Sequence, residues 1–339
     1  MADAVLRHPH PAAGIRPLAA GDLAAVAAID RELSGRGRSA YFTRRLEAAL
    51  RAPDLHVQLA AVEQGTLRGF VLARLLEGEF GRAEAALRLE TIGVARAAQE
   101  HGVGELLMHA LEEAARRRAV RELRTSASWR EHAVLRFLDH SGWSLGRNHV
   151  FECALAESAW FGPREVPVDA PLAPHDPNDY SASRGNDYET LARDLIDVGV
   201  LRAADLQGIV RIDRRLTEHD RSVYLRHALD EALLDSSVRI SLAARADGAL
   251  AGFLMARVDF GDFGRPAPVA VIDTIGVDPM RVGLGFGRAL LSQLILNLAA
   301  LGVERIETVV APDAWDLLRF FTCAGLHPSE RLAFAKHLD

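Results

Sequence analysis

The chain has little of several things, and each shortage removes a class of protein. It holds two cysteines, Cys153 and Cys323, in 339 residues. Two distant thiols supply neither a disulfide framework nor a zinc-ligand spacing, and the thirteen histidines show no metal-ligand spacing either. No metal is expected. Basic residues number 40 against 46 Asp and Glu, leaving a net charge of −6. That balance offers nucleic acid no overall basic field. Lys336 is the only lysine, a skew that carries no functional reading. No apolar run approaches the roughly 20 residues of a membrane span. The start, Met-Ala-Asp-Ala-Val-Leu-Arg-His, lacks a signal-peptide core. The expectation is a soluble, cytoplasmic protein with neither nucleic acid nor membrane as partner, its oligomeric state open.

What the chain has in quantity is apolar residues, 49% of the total, arranged twice over. A shift of 183 residues lays Ile29-Asp-Arg31 on Ile212-Asp-Arg214 and Arg38-Ser-x-Tyr41 on Arg221-Ser-x-Tyr224. The same shift lays Thr91-Ile-Gly-Val94 on Thr274-Ile-Gly-Val277 and Gly102-x-Gly104 on Gly285-x-Gly287. So long a period means two domains of one fold rather than a solenoid. The boundaries that follow are a disordered tail over 1–13, a first domain over 14–156, a linker over 157–197 and a second domain over 198–339. The linker is rich in Pro, Asp and Ser, and the pattern at Asp187–Ile196 adds a short helix to it as an expectation.

Within the second copy the pattern predicts helices near 203–216 and 222–234 and antiparallel strands around 238–258. A strand over Ala270–Val277 then leads into Val282-Gly-Leu-Gly-Phe-Gly-Arg288 and a leucine-spaced helix. A parallel strand at 303–310, a helix at 313–324 and a last strand at 331–337 complete it. Gly283, Gly285 and Gly287 let the backbone approach a ligand closely, and the first N–H groups of the next helix favour an anion there. There is no Gly-Lys-Ser/Thr, so the turn is not a P-loop.

Val277-x-Pro279 followed by Gly285-x-Gly287 resembles the acetyl-CoA signature of the GNAT acyltransferase superfamily, with Val282 where Gln or Arg is usual. The second copy in particular resembles a bacterial group of that superfamily carrying Phe260-Gly-Asp-Phe-Gly264 and Asp273-Thr-Ile-Gly-Val277. The resemblance covers both copies and implies an α/β fold with mixed (α+β) sheets, two tandem GNAT domains related by duplication. It implies an N-acetyltransferase moving an acetyl group from acetyl-CoA, its co-substrate, to an unknown primary amine, a small molecule or a peptide. A non-catalytic acyl-CoA-binding scaffold and a tandem enzyme like mycothiol synthase are the alternatives.

On that resemblance, Ile275, Gly276 and Val277 would pair with the pantetheine arm, and a backbone N–H there would face the oxyanion. Val282, Gly283, Leu284, Gly285, Phe286, Gly287 and Arg288 would hold the pyrophosphate. The first copy offers a weaker second site at Ile92, Val94, Gln99, Gly102, Val103 and Gly104, because Glu100 and Glu105 bring like charge to the phosphates. Asp273 in its apolar strand is either the base or half of an ion pair with Arg257, as Glu90 would be with Arg74. Tyr224 and Arg221 border the acceptor side or simply pack; Glu79 and Asp262 face an acceptor amine or close a turn. The family's usual tyrosine acid is replaced by Phe321 and Leu138, and its usual asparagine by Ala314 and Glu131.

Overall fold

A computed structural model describes residues 13–158, 160, 196–234, 239–259 and 267–339. The expected helix at Asp187–Ile196 and the loop holding Asp262 lie outside these residues, Ile196 apart. The first half runs β1 (Gly14–Pro17), α1 (Leu23–Ser34), α2 (Ser39–Arg51), β2 (His56–Glu63), β3 (Thr66–Leu76) and β4 (Ala86–Val94). It continues through α3 (Val103–Arg117), β5 (Glu122–Ser128), α4 (His132–His140), β6 (Ser144–Leu145) and β7 (His149–Ala154). The second half repeats it: β8 (Asp197–Val200), α5 (Leu206–Thr217), α6 (Ser222–Leu234), β9 (Arg239–Ala246), β10 (Ala249–Asp259) and β11 (Val269–Val277). Then come α7 (Phe286–Ala300), β12 (Arg305–Val310), α8 (Trp315–Cys323), β13 (His327–Pro328) and β14 (Arg331–His337).

Local chemistry accounts for the repetition. Gln64-Gly65 and Asp247-Gly248 both take positive φ, 48 and 78° in one half and 52 and 75° in the other. That pair of left-handed residues makes the tight turn of a twisted hairpin, so β2–β3 and β9–β10 close alike. Leu107, Leu111 and Ala115 bury one stripe of α3, as Leu290, Leu294 and Leu298 do on α7. These stripes cover one face of each sheet. The first two helices of each half cover part of the other face.

The two seven-stranded sheets run β1-β2-β3-β4-β5-β14-β6 and β13-β7-β12-β11-β10-β9-β8. Each half has therefore given its last strand to the other. β14 pairs with β5 from Arg331↔Ser128 to His337↔Glu122, and β7 pairs with β12 from His149↔Val310 to Ala154↔Arg305. The boundaries 14–156 and 198–339 divide the sequence but not the sheets. The physical reason is that β7 and β14 are repeats of one strand, so either partner offers the same ladder and the exchange costs no pairing. Neither half alone holds a complete sheet of its own strands.

β4 and β5 pair in parallel only at Leu87↔Leu123 and Arg88↔Arg124, and β11 and β12 only from Ala270↔Ile306 to Ile272↔Thr308. Beyond these pairs the strands fork. At each fork a threonine hydroxyl donates across to the neighbouring strand, Thr125 to Leu89 O at 2.9 Å and Thr308 to Ile272 O at 3.1 Å. A bulge accompanies each fork. The register skips Glu90 between Leu72↔Thr91 and Ala73↔Leu89, and skips Asp273 between Met255↔Thr274 and Ala256↔Ile272. Such a bulge bends the strand and re-aims a side chain.

Candidate functional site

Past the fork, Ile275–Val277 pair with β10 on one side and, among the described residues, have no strand beside them on the other. That leaves an edge with backbone groups to offer an extended ligand. Gly276 is packed so close to the Phe253 ring that a Cβ would lie 2.8 Å from it. The chain then turns through Pro279–Arg281 into the glycine loop. Gly283 and Gly285 adopt φ of 82 and 86°, and Gly285 caps α7. A Cβ on Gly287 would meet Phe320 at 3.0 Å, so glycine is what lets α7 start against α8. Phe286, Gly287 and Arg288 form the first turn of the helix, where backbone N–H groups lie beyond the reach of the i→i−4 ladder.

Around this loop Val282 and Leu284 are exposed, while Phe286 is buried. Two arginines flank it, Arg281 over the Phe286 ring at 5.9 Å and Arg288 over the Trp160 ring at 5.6 Å. Trp160 in turn meets Phe320 edge-on, ring centroids 5.3 Å apart. An anion at the start of α7 would meet backbone dipoles and positive side chains.

The first half builds the same loop. Glu100 and Gly102 take φ of 63 and 78° where Gly283 and Gly285 do, and Gly102 caps α3, whose first residue Val103 is buried. Gln99 donates its side-chain amide to Val94 O at 3.1 Å. A cleft of about 660 Å³ runs from Gln99, Glu100 and Gly104 past Ile92 and Val94 to Asp30 and Arg38. The weaker second site thus has a cleft, with exposed Glu100 and Glu105 at its loop.

Asp273 sits in none of these openings. Its side chain is fully buried and lies between two guanidinium groups, paired with Arg257 and, at 3.1 Å, with Arg239. The pair with Arg257 is the one the sequence suggests; Arg239 is an addition. In the first half the suggested partners differ: Glu90 pairs with Arg45, not Arg74. Arg74 instead reaches across to Glu231 of the second half at 3.1 Å, and Arg239 joins the same carboxylate. The expected Arg74–Glu90 pair is replaced because α6 lies over the end of β3 and brings Glu231 closer.

Tyr224 is also enclosed. The turn that follows β3 packs on it, and a Cβ on Gly78 would lie 2.8 Å from the ring. Arg221 donates to Gly78 O, and its guanidinium stacks at 5.5 Å over Tyr224. The Tyr224 hydroxyl has no hydrogen-bond partner among the described residues. Burial, with the nearby charges of Glu79 and Asp273, pushes its pKa well above the ordinary tyrosine value. Glu79 is buried and accepts N–H groups from Glu77 at 2.8 Å and Gly78 at 3.1 Å, which is the turn-closing role. Phe321 and Leu138, at the positions of the family's usual acid, are buried apolar side chains.

Sequence reasoning missed a buried ion pair in each half, Asp30 with Arg38 and Asp213 with Arg221. Both members recur at the same eight-residue spacing in the two copies, a signal that could have joined them. Cys153 is buried and Cys323 exposed, both free. No group of three or more metal-ligating side chains occurs among the described residues. No described helix is long and apolar enough to cross a membrane.

Two mixed sheets, each forked at a parallel pair and each followed by a glycine loop at a helix start, define a tandem α/β acyltransferase fold. The profile of the Acetyltransferase (GNAT) family matches residues 24–143 and 206–324, and the chain belongs to that family. No curated protein matches the sequence. Among solved structures, the tandem GNAT protein from the clavulanic acid biosynthesis pathway superposes with a TM-score of 0.60 at 19% identity, covering 96% of this chain and 98% of its own. A GCN5-related N-acetyltransferase from Sphaerobacter thermophilus gives 0.54 at 16% identity, with 96% of each chain covered. The glucosamine N-acetyltransferase region of a fungal multi-domain GH3 β-N-acetylglucosaminidase gives 0.61 at 15% identity, over 95% of this chain. The chain spans only 38% of that fungal protein. At these identities the likeness is one of fold.

Proposed function

We propose that the chain transfers an acetyl group from acetyl-CoA to a primary amine by direct attack, with the co-substrate held by the second half. The observation that carries this reading is the loop Val282–Arg288. It has the left-handed glycines and the helix-start N–H groups that suit a pyrophosphate, and Arg281 and Arg288 flank it. The first half keeps the backbone but sets Glu100 and Glu105 there.

In this reading Ile275–Val277 present their open edge to the pantetheine arm, and a backbone N–H of that edge steadies the oxyanion. Acetyl-CoA supplies the activated acyl carbon. The amine nitrogen adds to that carbon to give the oxyanion, which then collapses with cleavage of the C–S bond. The proton shed by the nitrogen passes to water and on to the departing thiolate, which needs no protein acid, since a free thiol has a pKa near 8.5. Asp273 stays out of the proton chemistry, because taking up a proton there would leave two buried guanidinium groups uncompensated. The cytoplasmic acetyl-CoA pool is the source this reading draws on.

The test is turnover. The full chain is incubated with acetyl-CoA and a panel of amino sugars, polyamines, antibiotics and peptides, following thiol release and acetylated product by mass spectrometry. Thiol release that needs an amine supports the reading. Binding of acetyl-CoA without turnover across the panel would instead favour a non-catalytic acyl-CoA-binding role.

A further inference from the structure

Where the two sheets meet, a second cleft of about 780 Å³ opens, away from both glycine loops. The first sheet contributes Arg88 of β4 and Arg124 of β5, and the segments after β3 and β6 add Arg82 and Arg147. Val271 of β11 with Glu307 and Val309 of β12 form the opposing wall. The cleft exists only because the halves are interlocked. Four arginines line it against Glu84, Glu122 and Glu307, so its charge balance is positive in a chain that is negative overall.

Arg82 is the informative member. Its side chain is 9% exposed and gives Nη2 to Glu122 at 2.8 Å and Nε to Glu84 O at 3.2 Å. Its Nη1 is buried with no hydrogen-bond partner among the described residues. A buried guanidinium nitrogen left without an acceptor is costly, so such a group points to a ligand that supplies one. Glu122 cannot serve fully, because Arg124 Nε draws on the same carboxylate oxygen at 2.9 Å. One carboxylate stands between two cations. Burial most of all, with Arg124 adding to it, lowers the pKa of Arg82 against the pull of Glu122. The remaining walls are apolar, from Leu76, Phe80, Val271 and Val309.

We propose that this inter-sheet cleft binds a small organic anion, a carboxylate or phosphate monoester on an apolar body, received by Arg82 and Arg124. Arginine suits either headgroup because its planar fork matches both bidentately. The inference does not rest on the transferase reading, since neither arginine touches a glycine loop.

The experiment titrates the full chain with hexyl phosphate, hexanoate and neutral hexanol by calorimetry. The expected result is saturable one-to-one binding of at least one anion with a Kd below about 1 mM. Hexanol should bind at least tenfold more weakly, and the tighter anion names the headgroup. Arg82→Gln should weaken that anion at least tenfold. Ala83→Trp fills the cleft from an exposed wall position without removing a charge, and should do the same if Arg82→Gln fails to fold. Gly285→Glu should leave the binding unchanged. Equal binding of hexanol, absence of binding by both anions, or retention of affinity in Arg82→Gln or Ala83→Trp would overturn the proposal. So would loss of binding in Gly285→Glu, which would place the anion on the glycine loop.

Discussion

Glu100 and Gly283 stand at the same place in the two halves and share a left-handed backbone, at φ of 63 and 82°. The cradle is therefore one shape carrying two different charges. In the first half a glutamate adopts the conformation that glycine adopts freely, at a cost on the order of 1 kcal/mol.

Replacing that residue, Glu100→Gly, should relieve the strain and remove a charge from the loop. The melting temperature should rise, by an amount corresponding to about 1 kcal/mol. CoA should gain a detectable second binding event on the first half. An unchanged or lower melting temperature would mean that the side chain is anchored by contacts that outweigh its backbone.

For Asp273→Asn, the two guanidinium groups of Arg239 and Arg257 would lose their shared anion inside the sheet. Breaking a buried pair this way costs about 3–5 kcal/mol. Stability should fall by that order, and acetyl transfer per folded molecule should stay the same. A stable, CoA-binding but inert variant would restore Asp273 as the base.

The contact between halves can be tested at Gly78→Ala. The φ of Gly78 is −168°, outside the left-handed region reserved for glycine, so the test turns on the space its Cβ would need. The added Cβ would lie 2.8 Å from Tyr224 Cγ, which is buried and cannot retreat. A loss of about 1–3 kcal/mol is expected, partly recovered in the double variant with Tyr224→Leu. Strict additivity of the two changes would contradict the contact.

His56 sets a pH dependence. Burial, helped by the charges of Arg45, Arg74 and Arg239, lowers its pKa to about 2. The unfolded chain titrates near pH 6.5, so below that it takes up a proton that the folded chain refuses. The stability is complete above about 6.5 and drains as pH falls, by about 1.4 kcal/mol per pH unit. Melting curves between pH 7 and 5, above the carboxylate range, should show this slope in the parent chain and a shallower one in His56→Gln. Parallel curves would show that His56 stays accessible to protons.

Much of this was legible in the sequence. The helix at Ser222–Leu234 and the strand at Arg331–His337 begin and end where the apolar pattern and turn residues place them. The loop geometry followed from its glycines. The partners of Arg331–His337 were not legible, because β5 and β12 offer equivalent edges and periodicity does not distinguish between them. The same limit explains Arg74, whose repeat position suggested Glu90 but whose actual partner, Glu231, comes from the other half. Repetition specifies what each half resembles. It does not specify how the halves interlock, and the inter-sheet cleft and the burial of Tyr224 both depend on that.

The central claim is that the second half's loop holds acetyl-CoA. Calorimetry with CoA on three full-length chains tests it directly: the parent, Gly285→Glu and Gly102→Glu. Each substitution places a carboxylate and a strained left-handed residue at the start of α7 or α3, with circular dichroism confirming the fold. A single binding event is expected in the parent, weakened by at least about tenfold in Gly285→Glu and nearly intact in Gly102→Glu. Loss of binding in Gly102→Glu with full affinity in Gly285→Glu would assign the co-substrate to the first half and contradict the account.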